Sequence, residues 1–384
     1  MRKKGDAIGI MAHIMMRDGH LLGMQAQALY KYFSVAAHHH ITLLLFDPID
    51  VDLATQTIEG YTAIAKDEIE QQEDQVLRDP TFTLTRIRCA IPYVIYDQIV
   101  SRRYEQSLKI KKQIAFLRQK SIIFNDGYFD KWEVYTWLSK SSRLVSYLPQ
   151  TIVADSSQAF MAFIDRFPIV FLKPIDGSHG SGIIKIEKSG EQLIVYQHRQ
   201  QKNLMKVKFT SSLLLYRKLR RRLLRRRYIL QEGIPLIMLD HRPVDVRVLM
   251  QKNRQGVWKM TKLYVRKAKE GEYTSNLARG GEAVPLLTLQ GTLLPVSLAT
   301  VKAQIKKVSY WIALTIENEA KRTIGELGVD LGIARDGRIT IIEVNAKPWK
   351  RPQTIHGSHQ LVEIAFARPI CYAEALLWQE VRPL

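Results

Sequence analysis

Short apolar runs of strand length recur along the chain, separated by stretches with helical spacing. Residues 8–10 and 41–46 are two such runs, and the segments around them carry helix-like patterns, so the first part reads as α/β. Residues 61–77 are rich in Glu and Gln, residues 98–119 read as a basic helix, and residues 122–124 read as a short strand. That strand runs into Asn125-Asp126-Gly127, a turn signal where a boundary is placed. From Asp130, apolar positions at Trp132, Tyr135 and Leu138 predict a helix running toward the stop at Leu148-Pro149, and residues 160–167 predict another before Pro168. Residues 169–173 then form an apolar strand, followed by a glycine-rich turn and a second strand at 183–187. A P-loop would instead open a helix and read GxxxxGK[ST]. Val244, Val246 and Val248 alternate with Asp245 and Arg247, giving one apolar and one charged strand face.

The clearest local signal is Asp336-Gly337 between two apolar runs, which predicts a two-residue type I′ hairpin. Such a turn sets Arg335 opposite Arg338 and Asp330 opposite Glu343. It projects Asn345 from the face of Glu343 and sends Val329, Leu331, Ile333, Ile342 and Val344 to the core side.

A length of 384 residues allows two or three domains and a sizeable core, and 46% hydrophobic with 24% charged residues is the balance of a globular chain. No uninterrupted apolar run reaches the roughly 18 residues of a membrane span, and Met1-Arg-Lys-Lys leads into no signal-peptide core, so an intracellular protein is expected. Cys89 and Cys371 are far apart, without disulfide or zinc-ligand spacing. Lys and Arg number 57 against 37 Asp and Glu, a formal charge of +20, which sets up a field that attracts nucleotides, nucleic acid or acidic polymers. Residues 217–227 concentrate this charge around Leu219, Leu223 and Leu224. They read as a solvated helix with one leucine stripe, or as a face for an acidic partner. No nucleic-acid reading motif accompanies the charge, so nucleic acid is not the expected partner.

Three segments carry candidate chemistry. Lys173 at a strand end precedes Gly177, Ser178, Gly180, Ser181 and Gly182, whose bare backbone suits a triphosphate, with His179 an ordinary loop residue. Opposed Asp330 and Glu343 would destabilise a sheet unless a cation lies between them, and with Asn345 they make an oxygen set suited to magnesium, with manganese as a substitute. Arg247 could offer its planar fork to phosphate or carboxylate, or make a structural pair with Asp245. In the polar loop 269–281, Asn276, Arg279, Gly280 and Gly281 would present an amide, a cation and bare backbone to an anion, or serve only as a turn.

A lysine with a glycine loop, then D-x-R, then N-x-x-R-G-G, then an aspartate thirteen residues before E-x-N resembles the ATP-grasp superfamily, over about residues 125–350. Phe129-Asp130-Lys131-Trp132, Leu148-Pro149-Gln150-Thr151, Gln231-Glu232-Gly233-Ile234 and Glu343-Val344-Asn345-Ala346-Lys347-Pro348 are similar to the YheC/YheD endospore coat-associated family within it. The resemblance implies an ATP-grasp fold of two α+β subdomains clasping ATP, preceded by a small α/β domain. Residues 1–124 would form the preceding domain and 125–384 the ATP-grasp domain, with a lid at about 168–232 and a metal-binding subdomain at about 233–384.

It also implies that Lys131 and Lys173 contact ATP phosphates, with Lys140 a competitor for the first role. Residues 177–182 would form the lid loop, Gln231, Glu232, Gly233 and Ile234 the hinge against adenine. Asp330, Glu343 and Asn345 would hold magnesium, and Arg247, Asn276 and Arg279 would face the γ-phosphate and acceptor. Relatives often carry a second acid where this chain has Ala334. The implied activity is an ATP-dependent carboxylate-amine ligase acting through an acylphosphate on an unidentified carboxylate, such as an acidic peptide or polymer, in the cytoplasm or spore coat of a sporulating bacterium, with coat proteins as partners. The alternative is a non-catalytic coat protein that retains the fold.

Overall fold

The computed structural model describes residues 7–17, 20–23, 25–65, 82–177, 181–199, 203–292, 296–350 and 357–378. Its first sheet holds four parallel strands in the spatial order Leu43–Phe46, Ile8–Met11, Val94–Asp97, Ile122–Phe124. The first three are buried at every position, which is why they read as continuous apolar runs rather than alternations. Helix Ala26–His38 covers one face, and Leu108–Lys120 covers the other through Ile110, Ile114 and Leu117. The expected basic helix thus begins later than residue 98, after a short turn at Arg102–Glu105. Thr57–Ala65 and Phe82–Ala90 extend the sheet as an antiparallel pair. Most of the Glu- and Gln-rich stretch lies outside the described residues.

A second, antiparallel sheet has the order Thr151–Val153, Tyr228–Glu232, Ile169–Pro174, Ile184–Ser189, Gln192–Arg199, Asn203–Phe209. Helices Ser157–Arg166 and Ser212–Arg225 cover one face, burying Phe160, Ile164, Leu215 and Leu219 against Val170, Leu172, Ile186 and Leu230. The leucine stripe differs from the expected one. Leu215, Leu219 and Leu223 fall four apart on the packed side, whereas Leu224 is 75% exposed among the arginines.

The third sheet runs Glu282–Val284, Trp258–Lys267, Arg242–Lys252, Glu326–Ile333, Ile339–Asn345. Helix Leu298–Ala320 fills one face with Val301, Ile305, Val308 and Ile312, against Val244, Val246, Val248 and Val329. Asp130 caps helix Lys131–Ser139 by accepting from the Trp132 and Glu133 amides, and this helix ends well before Leu148-Pro149. The closing helix His359–Leu377 returns to the first sheet, packing Phe366, Ile370 and Tyr372 beside Tyr32 and Tyr96. No helix among the described residues is long and apolar enough to cross a membrane.

The hairpin at Asp336-Gly337 forms, but not as a two-residue turn. Ala334 donates to Arg338 O (2.9 Å) and Gly337 to Ala334 O (2.9 Å), so the loop has three residues and closes on Gly337 at φ 81°. Arg338 therefore faces Ala334 rather than Arg335, and Ile333 faces Ile339. An irregularity between Asp330 and Leu331 then leaves Ile342 without a counterpart and returns the register, so that Asp330 does face Glu343. The two departures cancel at the acids but not between them. Ile339 and Ile341 take the core positions, while Ile342 turns to the cleft.

Buried polar clamps tie this hairpin to the first sheet. Asn125 donates to Glu326 O (2.8 Å) and Ala346 O, and accepts from the Gly325 amide (2.8 Å). Lys347 pairs with Asp97 of the first sheet at 2.7 Å, and Lys350 pairs at 2.7 Å with Glu326, which also accepts from Tyr96 of the first sheet; all four ion-paired side chains are buried.

Candidate nucleotide and metal site

A cavity of about 680 Å³ opens between the uncovered faces of the second and third sheets, a size typical of small-molecule sites. Period-two alternation places its polar side chains: Lys173 and Gln231 point into it because Leu172 and Leu230 point into the helical layer. In the same way Asp245 and Arg247 face it because Val244, Val246 and Val248 face the core. Strand Trp258–Lys267 contributes Tyr264 and Arg266.

The acids and bases interlock across strands. Arg247 grips Asp330 through both Nε and Nη2, the second at 3.0 Å, while Arg266 Nη2 reaches the same carboxylate at 3.0 Å. Arg266 also makes a two-pronged pair with Asp245 at 2.6 and 2.7 Å, and Ser275 donates to that carboxylate as well. Burial alone would raise the Asp330 carboxyl, but Arg247 and Arg266 override it and hold the group below the usual range. Burial lowers Arg266, yet Asp245 and Asp330 more than reverse that and keep it firmly charged. Asp245 and Arg247 thus do not pair with each other: Asp245 takes Arg266, a residue the sequence did not single out. The opposed acids Asp330 and Glu343 also need no metal between them, because side-chain cations neutralise both.

Glu343 pairs with Lys131 Nζ at 2.6 Å, and the same ammonium donates to Gly177 O at 2.8 Å. Lys131, at the start of its helix, is therefore the lysine inside the cleft. Lys140 pairs with Glu319 at the surface. Lys173 contacts the neutral Gln231 amide oxygen. Burial drives its pKa down to about 8, aided by Lys131 and opposed by Glu343 and Asp330. Gln231 also donates to Thr151 Oγ1 (3.2 Å), and Glu232 and Ile234 line the cleft beside it. Gly233 packs so closely that a Cβ there would lie 2.2 Å from Ile169 Cγ2.

In the loop after the glycine, Gly177 lines the cleft and Gly182 follows at φ 76°, with Ser181 just before it. Ser178 and Gly180 lie outside the described residues, so their part in the loop is not assigned. Asn276 reaches the cavity, but its Oδ1 accepts from the Ala278 amide (2.9 Å) as the cap of a short turn, leaving its NH₂ available. Arg279 ends that turn near Tyr273, whose phenol burial pushes up to about 12 against a downward pull from Arg279.

The donors suit only one kind of metal. Among the described residues no group of three or more His, Cys, Asp or Glu gathers, and the Asp330 carboxylate is saturated by guanidinium groups. The Glu343 side chain, 25% exposed, and the neighbouring Asn345 amide both face the cleft. Such a set fits a hard cation that arrives with most of its shell, as magnesium does on nucleotide phosphates, and not a free-standing metal cage.

Two α+β layers closing on a cleft lined with lysines, arginines and acids define the ATP-grasp class. The YheC/D-like ATP-grasp model matches residues 120–376, and the chain belongs to that family. The endospore coat-associated proteins YheD and YheC of Bacillus subtilis (strain 168) are relatives. YheD is 24% identical over 288 residues, covering 74% of this chain and 63% of YheD, so the match spans less than two thirds of that relative. YheC is 27% identical over 282 residues, covering 72% of this chain and 76% of YheC. N5-carboxyaminoimidazole synthetase from Staphylococcus aureus shares the fold at TM-score 0.51 and 13% identity, over 97% of this chain and 78% of the other.

If nucleotide binds beside Lys173, its binding is expected to be proton-linked. A polyphosphate beside this lysine restores its ordinary basicity, so binding at about pH 8.5 takes up roughly 0.7 proton. Calorimetry in buffers of different ionisation enthalpy measures that uptake, and Lys173→Met abolishes it. The same lysine contributes a rise in folding stability between about pH 8 and 10.5, because there the unfolded chain holds the extra proton.

Proposed function

We propose that the cleft binds MgATP and that the chain is an ATP-dependent carboxylate-amine ligase, acting through an acylphosphate and associated with the endospore coat. One observation carries this reading: Lys131 from a helix, Lys173 from the second sheet, and Arg247 and Arg266 from the third converge on the same cavity as Asp330 and Glu343. In the reaction class proposed, a carboxylate oxygen attacks the terminal phosphorus and ADP leaves. An amine then attacks the acyl carbon, phosphate leaves and the amine loses a proton.

The residues' contribution is positioning and charge neutralisation, without a nucleophilic side chain. Gln231, Glu232, Gly233 and Ile234 supply the wall for the adenine. Lys173, poorly compensated by its amide partner, gains most from phosphate. Lys131, paired with Glu343 here, would be free to turn to phosphate if Glu343 served as a magnesium ligand. Arg247 keeps Nη1 for the developing charge while Asp330 locks its plane. Asn276 lines the cleft and would face the acceptor, and Arg279, just beyond the lining on the same turn beside Tyr273, would lend its charge from there. Glu343 and Asn345 would hold the magnesium, with Asp330 behind them. Magnesium supplies charge neutralisation on the phosphates. In this proposal residues 1–124 form a preceding domain, and Gly177, Ser181 and Gly182 belong to the lid loop.

The test is an untargeted screen of cell or spore extract for MgATP-dependent products, wild type against Glu343→Gln. Products confined to wild type support a ligase. Nucleotide binding without turnover on any fraction leaves a coat component that keeps the fold without the chemistry.

A further inference from the structure

The arginines lining the cleft are each paired with acids, apart from one among the described residues. Arg242 meets Glu282 at 2.9 Å, Arg247 meets Asp330, and Arg266 meets Asp245. Arg102 also lines the cavity but has no carboxylate of the described residues within ion-pair distance, Asp176 being near enough only to feel its charge. Its Nη2 donates to Phe129 O, its plane lies 4.6 Å from the Tyr128 ring centroid, and its Nε is buried without a hydrogen-bond partner. Nη1 is left to serve whatever enters. A partly buried guanidinium held this way, with no counter-ion, is a standing anion site.

Its surroundings are rigid. Tyr128 Oη donates to Ile99 O at 2.8 Å, and Lys347 Nζ lies 4.7 Å from the Tyr128 centroid while pinned to Asp97 at 2.7 Å and Ile99 O at 3.0 Å. Gln25 Nε2 donates to Gln98 O at 2.8 Å and borders the same wall. The segments bearing Arg102 and Gln98 leave the carboxyl end of Val94–Asp97. The chain leaves Ile8–Met11 for Leu43–Phe46 on one side and later adds Val94–Asp97 on the other. Parallel sheets bind ligands at such a switch point.

This wall adjoins the phosphate-facing groups. Arg102 holds the carbonyl of Phe129, two residues before Lys131, and Lys347 lies four residues beyond Glu343. Adenine, phosphates and acceptor would then follow one another along the cleft from Gln231 through Lys173 and Lys131 to Arg102.

Building on the ligase reading above, we infer that Arg102, stacked on Tyr128 and flanked by Gln25, forms the acceptor subsite and takes a carboxylate. It is a binding residue on the first sheet's side of the cleft, separate from the nucleotide contacts.

The experiment uses full-length protein with ¹⁵N-labelled arginine, with and without MgAMPPNP, and follows the Arg102 Nε–H resonance, assigned by its loss in Arg102→Lys, as glutarate is added. A saturable shift with a half-point in the millimolar range is expected, about −4 kcal/mol of binding. MgAMPPNP affinity in Arg102→Lys should stay within about two-fold of wild type, as expected when no nucleotide contact is lost. An Arg102 signal unmoved by about 50 mM glutarate in either state overturns the subsite. So does sulfate shifting it equally, which would make it a general anion contact. Nucleotide affinity unchanged by Lys173→Ala instead overturns the MgATP reading, a separate failure.

Discussion

Asp330→Ala is expected to cost about 3–5 kcal/mol of folding stability, the penalty for removing one member of a buried ion network. Its carboxylate is 4% exposed and accepts from two guanidinium groups, Arg247 and Arg266. Without it Arg247 loses its acid, and Arg266 keeps only Asp245. Denaturant unfolding measures the loss. Arg247→Met combined with Asp330→Ala should recover part of it, since the stranded charge goes with its partner. A cost below about 1 kcal/mol would mean that the arginines find solvent and that the network is not buried as described. Loss of activity in Asp330 variants therefore mixes folding with chemistry, and Glu343 is the cleaner position to probe.

Glu343→Gln should reverse that balance. The side chain is 25% exposed and has Lys131 as its ionic partner, which keeps its bond to Gly177 O when the charge is removed. Stability should fall by about 1–2 kcal/mol, less than for Asp330→Ala, because the glutamine amide can still accept from Lys131 and the pair is only partly buried. MgATP turnover should fall by about 10²–10³, the effect of deleting one preorganised charge at a phosphoryl-transfer site. Affinity for MgATP should fall more than affinity for ATP in the presence of a chelator. Steady-state ADP release and nucleotide titrations with and without magnesium read these together. Equal loss for both forms of the nucleotide would place Glu343 outside metal binding.

The elements around the cleft were legible because each follows a local rule. Continuous apolar runs mark three of the first sheet's four parallel strands, though not that they pair in parallel, alternation at 244–248 marks the two faces of one strand, and Asp130 marks the start of the Lys131 helix. Asp330 opposite Glu343 was also anticipated, but through two departures that cancel: a three-residue loop in place of two, and an unpaired Ile342. Gly337 marks a turn without stating its length, and an extra strand residue has no composition of its own, so the sequence pattern puts Ile342 on the wrong face.

Charge pairing was less legible, because partners are chosen across strands. Arg247 lies two residues from Asp245 and looks like its mate, yet neighbours in the sheet give it Asp330 and give Asp245 Arg266. Lys262, Tyr264 and Arg266 alternate along one strand, a signal that would have put Arg266 on the cleft face. Arg102 sits in a segment read as a basic helix. Nothing local distinguishes an arginine on Tyr128 at a cleft wall from one in solvent.

In the proposed site Glu343 would exchange Lys131 for a nucleotide-borne cation. Crystals grown with AMPPNP and manganese, examined by manganese anomalous scattering, test it most directly. A peak is expected about 2.0–2.4 Å from a Glu343 carboxylate oxygen and from phosphate oxygens, with Lys131 moved onto phosphate. Nucleotide in the cleft with the Lys131–Glu343 pair intact, and no manganese peak beside it, would rule out Glu343 as a ligand of the nucleotide's metal.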